Sequence, residues 1–479
     1  MNSSSSLELS EIQGLVLDGQ TDKFPCAAYL VFQWQEQAEP KKWLDTLIPD
    51  ITTADQASTN SFINVAFTYS GMSVFPLPQE TIDSFSLEFK EGMSSPHRNR
   101  ILGDVHSSAP SLWRWGSEQN YVDGIVVIFA TNQNVLDQIQ TQQIALMEQH
   151  GVSVLESIHS YNLPNDKEHF GFRDGIAQPK IVGFDGDNSD NTVHPGEFLL
   201  GYLNEYSRYS LSPVVALEND PEGILPMAEE ADAHRSLGRN GSYLVFRQLS
   251  QNVQGFWQSI ESNSNDVEDM VRIASKMVGR WPNGAPLVLS EMVEPSDDHP
   301  MFSTPGALDN FGYYDADEYG YKCPMGSHIR RTNPRDALMP DPGSEISIDS
   351  VKHHRILRRG RPYGAPVVED MDPSKIVKAP EDTEERGLLF LCMNANIARQ
   401  FEFIQHTWIN NKKFAGLYND ADPLMGVQDP KNKGETGDFN IPAKPVRDRI
   451  QGLERFVEVR GGSYFFIPSK RALTYLKSL

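Results

Sequence analysis

The sequence contains few cysteines: only Cys26, Cys323 and Cys392 among 479 residues, all far apart. Without a CxxC pair they do not form a disulfide framework, a Cys-ligated zinc site or an iron–sulfur site. Long apolar runs are also missing, since residues 125–130 and 388–393 fall far short of the ~20 residues that a membrane helix needs. These absences predict a soluble protein whose metal chemistry, if any, depends on histidine, carboxylates or a bound cofactor.

The sequence also has fewer basic than acidic residues. Lys and Arg number 42 against 65 Asp and Glu, a formal net charge of −23. Nucleic acids and anionic membranes are bound largely through Lys and Arg, so neither is expected as a partner. The motifs GxGxxG, GxxxxGK[ST] and GxSxG do not occur, which argues against a nucleotide fold or a serine hydrolase. Residues 1–10 are Ser-rich and acidic, unlike a signal peptide, so we expect a cytoplasmic location, with unconventional export left open.

The chain contains two similar series of segments. Apolar segments rich in β-branched and aromatic residues are predicted strands, and each precedes a stretch with helical spacing. The same order twice predicts a duplicated α+β unit, which we divide into residues 1–215 and 216–479. Chance similarity between short apolar strands is the alternative. The strand and helix segments are, in chain order, residues 29–33 and 35–47, 124–129 and 135–149, 243–247 and 251–262, and 387–392 and 397–408.

The first candidate site is HFGFRDGIAQP at residues 169–179. Asp-Gly is a common turn dipeptide and is weak evidence alone. Here Asp174 lies between glycines and apolar residues, an environment that shifts the pKa of a carboxylate toward acid–base use. The motif by itself is consistent with either a turn or a proton-transfer site.

A second candidate region is rich in arginine. Residues 328–361 contain eight Lys or Arg and four Asp or Glu, a local charge of +4 in an acidic chain. This region favours an anionic ligand, although a solvated Arg-rich surface is the alternative. His328 has no second nitrogen or sulfur ligand at zinc spacing. A single histidine with nearby arginines suits haem, which needs an axial ligand and carries two propionates.

Together these residues resemble the dye-decolourising peroxidase family. The resemblance extends over nearly the whole chain and is closest to the larger branch of the family. Each motif is weak alone, and their joint order and spacing make the resemblance specific. The matching segments are GFRDG at 171–175, HIRRTNPR at 328–335, LRRGRPYG at 357–364 and GLLF at 387–390, with further matches at 12–17, 278–281 and 461–468.

The resemblance implies a fold and an activity. The fold would be α+β, with two ferredoxin-like modules forming a dimeric α+β barrel-like structure of antiparallel sheets and peripheral helices. Haem b would be bound mainly by the C-terminal module. The expected activity is hydrogen peroxide reduction coupled to one-electron oxidation of phenolic, dye-like or other aromatic donors, in a monomer or homodimer. The alternatives are a haem-binding or trafficking protein without turnover, and an anion-binding module without haem.

The resemblance also implies residue roles. His328 would be the proximal iron ligand, Asp174 the distal acid–base residue and Arg358 the distal arginine. A carboxylate that accepts a hydrogen bond from the proximal imidazole would be Glu402.

Three further positions are implied to contact the cofactor. Leu388 and Phe390 would form the wall of the distal cavity, and Arg330 would contact a propionate.

Overall fold

The computed structural model describes residues 6–19, 23–56, 60–185, 191–429, 431, 435 and 437–479. Residues 1–5, part of the Ser-rich start, lie outside it. The strands are β1 (Cys26–Trp34), β2 (Ser61–Phe67), β3 (Gly124–Ala130), β4 (Val152–Tyr161), β5 (Lys180–Ile181), β6 (Thr192–Val193), β7 (Val214–Ala216), β8 (His234–Ser236), β9 (Ser242–Gln251), β10 (Leu357–Arg358), β11 (Arg361–Tyr363), β12 (Gly387–Asn394), β13 (Phe439–Ile441), β14 (Asp448–Ile450) and β15 (Val457–Ile467).

Helices cover the sheet and fill the connections. The α-helices are α1 (Gly14–Leu17), α2 (Pro40–Leu47), α3 (Tyr69–Met72), α4 (Gln79–Asp83), α5 (Leu87–Glu91), α6 (Pro96–Leu102), α7 (Gln133–Gln149), α8 (Val253–Glu261), α9 (Val267–Val278), α10 (Pro300–Ser303), α11 (Tyr314–Asp317), α12 (His328–Thr332), α13 (Glu345–Lys352), α14 (Pro373–Ile376) and α15 (Lys470–Ser478). Within the described residues, none of these helices has the length and apolar character to span a membrane.

The first half of the chain forms a four-stranded antiparallel sheet in the order β2-β3-β1-β4. Helix α2 follows β1 and helix α7 follows β3, so the elements run β-α-β-β-α-β as in a ferredoxin-like unit. Strand β3 (GIVVIFA) is buried at every position, which suits its β-branched residues. Helix α7 begins where the Asn132 side chain accepts the N–H of Val135, a standard N-cap.

The second half repeats this arrangement. Its strands lie in the order β10-β12-β9-β15, with α8 and α9 after β9. The helix expected at 397–408 is present as two π-helical segments, Ala398–Glu402 and Ile404–Ile409. Bonds such as Glu402 N–H to Ile397 O, five residues back, define this wider helix, which often occurs at functional sites.

The two halves join into one nine-stranded sheet. Strand β15 pairs with β2 through Phe466 and Phe67, while β11 packs beside β4 at the other end. The ends of the sheet therefore approach each other, and the predicted α+β fold of two ferredoxin-like modules is confirmed.

The division at residues 215 and 216 falls inside β7, which pairs with β8. This domain boundary stays a prediction.

Strand β12 separates two environments because alternate side chains point to opposite faces. Leu389 and Leu391 are fully buried in a core that includes Tyr29 and Phe129 from the first half. Leu388 and Phe390 point the other way, into a cavity beside α12 and the π-helical segments. One face of β12 therefore packs into the core, and the other face lines the cavity.

Candidate active site

A deep cavity lies between the loop at 168–177, helix α12, strand β12 and the π-helical segments. It encloses about 1610 Å³, counting the part that is open to solvent. Most of its wall is apolar, and the apolar residues include Val278, Ile329, Ile356, Leu388, Phe390, Phe401, Ile404, Ile409, Leu424, Met425 and Val457. His328, Asp174 and Arg358 also line this cavity, so the three residues expected to carry the chemistry are brought together.

Asp174 lies on the loop that enters the cavity. Its Oδ1 accepts hydrogen bonds from Arg358 Nη1 at 2.9 Å and from the Gly175 N–H at 2.6 Å. The side chains of Asp174 and Arg358 are 36% and 30% exposed, so a small molecule in the cavity can reach both. Burial alone would raise the pKa of Asp174, but the Arg358 cation and the Gly175 bond outweigh it, and the net pKa lies below its usual value.

Positive backbone φ values shape this loop on either side of Asp174. Gly171 has φ +92° and Gly175 has φ +79°, conformations that favour glycine. Backbone conformation therefore explains the GxxDG spacing, because the two glycines turn the chain so that the carboxylate enters the cavity.

Glu168 also supports this loop, and sequence analysis did not identify it. Its carboxylate accepts the N–H groups of Phe170 and Phe172 at 3.0 and 3.1 Å, and Gln251 Nε2 at 2.7 Å. Burial outweighs these bonds and raises the pKa of Glu168 to about 7. No sequence pattern identified Glu168 as a supporting residue, because its hydrogen bonds form only when the loop folds.

His328 is the first residue of α12 and faces the cavity. Its Nδ1 lies 2.9 Å from Asp422 Oδ2, and the Asp422 side chain is fully buried. Asp422 Oδ1 accepts the N–H groups of Leu424 and Met425 at 2.9 and 2.8 Å, which fixes the carboxylate. Burial would lower the pKa of His328, but Asp422 outweighs it by charge and hydrogen bond, and the net pKa is raised.

The expectation that Glu402 is the carboxylate partner of His328 is wrong. Glu402 accepts Arg98 Nη1 at 2.8 Å and the Tyr464 hydroxyl at 2.8 Å, in a separate buried network. The Nδ1 of His328 is bonded to Asp422 instead. The partner is 94 residues away in sequence and lies in a loop, so no local pattern pointed to it.

The expectation that Arg330 faces the cofactor site is also wrong. Arg330 is two residues after His328, about 200° around the helix, and therefore points away from the cavity. Its guanidinium bonds Asp317 Oδ2 at 3.0 Å and Cys323 O at 2.7 Å, and packs over the Tyr313 ring.

Other arginines line the cavity instead. Arg280 Nη2, Arg335 Nε and Asn333 Oδ1 are buried and have no hydrogen-bond partner among the described residues. Arg355 and Arg173 also contribute to the wall. Of the basic residues between 328 and 361, Arg335, Arg355 and Arg358 line the cavity, and Arg330 does not.

Known proteins are similar to this chain in sequence and in fold. No family model matches the chain. The dye-decolorizing peroxidase msp1 of Mycetinis scorodonius is 27% identical over 515 residues, spanning 100% of this chain and 89% of the relative. The structure of an ancestral D-type dye decolorizing peroxidase superposes with a TM-score of 0.77 at 27% identity, over 98% of this chain and 99% of that one. The chain belongs to the dye-decolourising peroxidase family.

Dye-decolourising peroxidases are haem peroxidases, so this member of the family is an enzyme. A haem-trafficking protein without turnover is not favoured. A dye-decolorizing peroxidase solved in complex with 2,6-dimethoxyphenol shares the fold, with a TM-score of 0.71 at 24% identity over 99% of this chain and 100% of that one.

Proposed function

We propose that this dye-decolourising peroxidase binds haem b in the described cavity, reduces hydrogen peroxide and oxidises phenolic or dye-like aromatic donors. The observation that carries the proposal is one largely apolar cavity lined by His328, Asp174 and Arg358, in which Asp422 holds His328 from behind and Arg358 bonds Asp174. The overall reaction takes one peroxide and two phenolic donors to two waters and two phenoxyl radicals.

The cavity residues fit haem in shape and charge. The apolar wall suits a porphyrin ring, which is flat and largely apolar. Arg280 Nη2 and Arg335 Nε are buried donors without a hydrogen-bond partner among the described residues, and they suit a propionate carboxylate, which an arginine binds well. Both guanidinium groups also form ion pairs with Asp309. In the absence of a carboxylate, those buried donors would remain unsatisfied at a cost in free energy.

His328 is the proposed iron ligand. Because Nδ1 is held by the Asp422 carboxylate, the proton is assigned to Nδ1 and the lone pair on Nε2 is available to a metal. A carboxylate behind a metal-bound histidine fixes the ring orientation and increases the basicity of the ligand. Haem, when bound, supplies the iron that exchanges electrons between peroxide and donor.

Asp174 is the proposed proton carrier. Its Oδ1 is occupied by Arg358 and Gly175, so Oδ2 is the oxygen positioned to take a proton from one peroxide oxygen and return it to the other. Arg358 would stabilise negative charge that develops as the O–O bond breaks, because it is a fixed cation beside the same space.

The choice of donor rests on a relative. The related peroxidase solved with 2,6-dimethoxyphenol supports a phenolic reductant for this enzyme as well. The oligomeric state, monomer or homodimer, and the cytoplasmic location stay predictions.

Absorption spectroscopy and turnover test the proposal together. We expect the apoprotein to bind one equivalent of haemin with a Soret band, and the holoenzyme to oxidise 2,6-dimethoxyphenol only when hydrogen peroxide is present. Asp174→Asn should keep the Soret band and lose turnover. A haem-loaded protein without turnover would instead support haem trafficking, and a protein that stays colourless with ample haem would support an anion-binding module.

A further inference from the structure

Arg361 is a buried cation outside the active site. It follows Arg358 by three residues, but the strand alternation turns it to the opposite face of the sheet, where β11 pairs it with Leu389 in the core. Its side chain is 1% exposed. Arg358 therefore serves the cavity, while Arg361 lies in the core between the two halves.

The guanidinium of Arg361 is unsatisfied. Nε, Nη1 and Nη2 have no hydrogen-bond partner among the described residues, and none of the charged groups that act on the guanidinium is a carboxylate of those residues. The guanidinium packs over the face of the Phe129 ring, with its carbon 4.3 Å from the ring centroid. An aromatic face attracts a cation but accepts no conventional hydrogen bond, so five N–H donors remain to be satisfied.

Two more buried donors lie on the same face of the sheet. The Tyr29 hydroxyl and the Ser160 hydroxyl are 0% and 2% exposed at the residue level, and both lack a partner among the described residues. The strand register pairs Ala27 with both Ser160 and Phe129, and Tyr29 is two residues further along the same strand. Side chains opposite each other or two apart share a face, so Tyr29 and Ser160 lie on the face of the sheet that carries Phe129. The ring centroids of Tyr29 and Phe129 are 6.2 Å apart.

Charge and hydrogen bonding lead to the same requirement. A buried charge needs an opposite charge, and buried donors need an acceptor. Tyr29 cannot supply the negative charge at neutral pH, because burial raises the pKa of its hydroxyl to about 12 despite the nearby Arg361. One monovalent acceptor that is not a side chain of the described core would satisfy all three groups.

We propose that Arg361, Tyr29 and Ser160 bind one small monovalent anion of halide size inside the core. The single positive charge of the guanidinium calls for a single negative charge, and the flanking Ala27 and Phe129 leave an apolar surrounding that suits a weakly hydrated spherical ion. The site is structural, because the sheet separates it from the cavity that Arg358 lines.

Halide analysis of the intact holoenzyme tests the site. The protein is purified with sodium bromide in place of chloride, desalted into halide-free buffer and denatured, and released bromide and chloride are measured by ion chromatography. We expect close to one halide per chain from the wild type and from Arg361→Lys, which keeps the charge. Arg361→Met should release almost none, with peroxidase activity unchanged, because the residue does not contact the cavity.

A bromide-soaked crystal of the wild type makes the test independent of the variants' folding. We expect an anomalous peak beside the Arg361 guanidinium and the two hydroxyls. Wild-type protein that releases no halide, or that shows only water at this position, would overturn the proposal. Equal halide release from the wild type and Arg361→Met would overturn it as well, because the ion would then lie elsewhere.

Discussion

Replacing Asp422 with Asn should weaken haem binding, because it disturbs the residue that holds His328. The Asp422 carboxylate uses one oxygen for His328 Nδ1 and the other for the N–H groups of Leu424 and Met425. An amide has one oxygen and one NH₂. In one orientation the NH₂ faces Nδ1–H of His328, and in the other it faces the N–H groups of Leu424 and Met425. The tautomer of His328 that leaves Nε2 available to iron is therefore no longer favoured.

The size of the effect follows from the contact that is lost. A hydrogen bond to an ionised group contributes about 1.5 to 3 kcal/mol, and the full burial of Asp422 removes solvent screening as a reason to reduce that value. Each ~1.4 kcal/mol is a factor of ten in an equilibrium constant, so the Kd for haem should rise about 10- to 100-fold. Loss of groups behind metal-bound histidines typically weakens metal affinity by this much.

Haemin titration of the apoprotein, followed at the Soret band, measures the Kd. Glu402→Gln is the matched control, since it also removes a buried carboxylate but one that bonds Arg98 and Tyr464. We expect Glu402→Gln to lower the unfolding midpoint and leave the haem Kd unchanged. Wild-type haem affinity in Asp422→Asn, together with lost affinity in Glu402→Gln, would refute the assignment of Asp422.

Three further predictions concern the distal side. In stopped-flow measurements Asp174→Asn should react with peroxide about 10²- to 10⁴-fold more slowly while keeping its haem, as expected for loss of acid–base catalysis; an unchanged rate would remove Asp174 from the mechanism. The wild type should work best in acid, where Asp174 regains its proton. Arg358→Leu should move the acid limb of the pH–rate profile to higher pH, because it removes the largest of the contributions that lower the pKa of Asp174 against the effect of burial; an unmoved limb would contradict the pairing. The pKa of Glu168 is raised from 4.5 to about 7, so its protonated form stabilises the fold at low pH and this stabilisation is lost as pH rises through that window. As the pH rises from 4.5 to about 7, the free energy of unfolding of Glu168→Gln, measured in urea, should therefore increase relative to that of the wild type. A constant or decreasing difference between the two proteins would contradict the raised pKa.

Strands and their repetition could be predicted from sequence because local hydrophobicity determines them. The segments at residues 29–33 and 243–247 lie in β1 and β9, and those at 124–129 and 387–392 lie in β3 and β12. A strand in the middle of a sheet is buried on both faces, so its apolar run is visible without knowledge of its neighbours. The helix at 397–408 was predicted in place, but its π-helical form was not.

Side-chain direction over short distances was predicted less well. Leu388 and Phe390 both line the cavity, because residues two apart on a strand point to the same face. Their contact with a cofactor stays a prediction. Arg330 was assigned to the same site as His328 although helical geometry turns it away, and Arg335 beyond the helix reaches the cavity instead. Sequence proximity to a ligand is therefore a poor guide to contact when a helix intervenes.

The sequence alone singled out the residues proposed to carry the chemistry: His328 in an Arg-rich stretch and Asp174 between two glycines that the turn requires. Those features are local, because residue type and backbone freedom are properties of a few consecutive positions. Only the tertiary structure decided which carboxylate holds His328, which arginines face the cavity, and that Arg361 lies buried without a hydrogen-bond partner in the described part of the chain. These depend on contacts between segments tens to hundreds of residues apart, and such contacts form only when the chain folds.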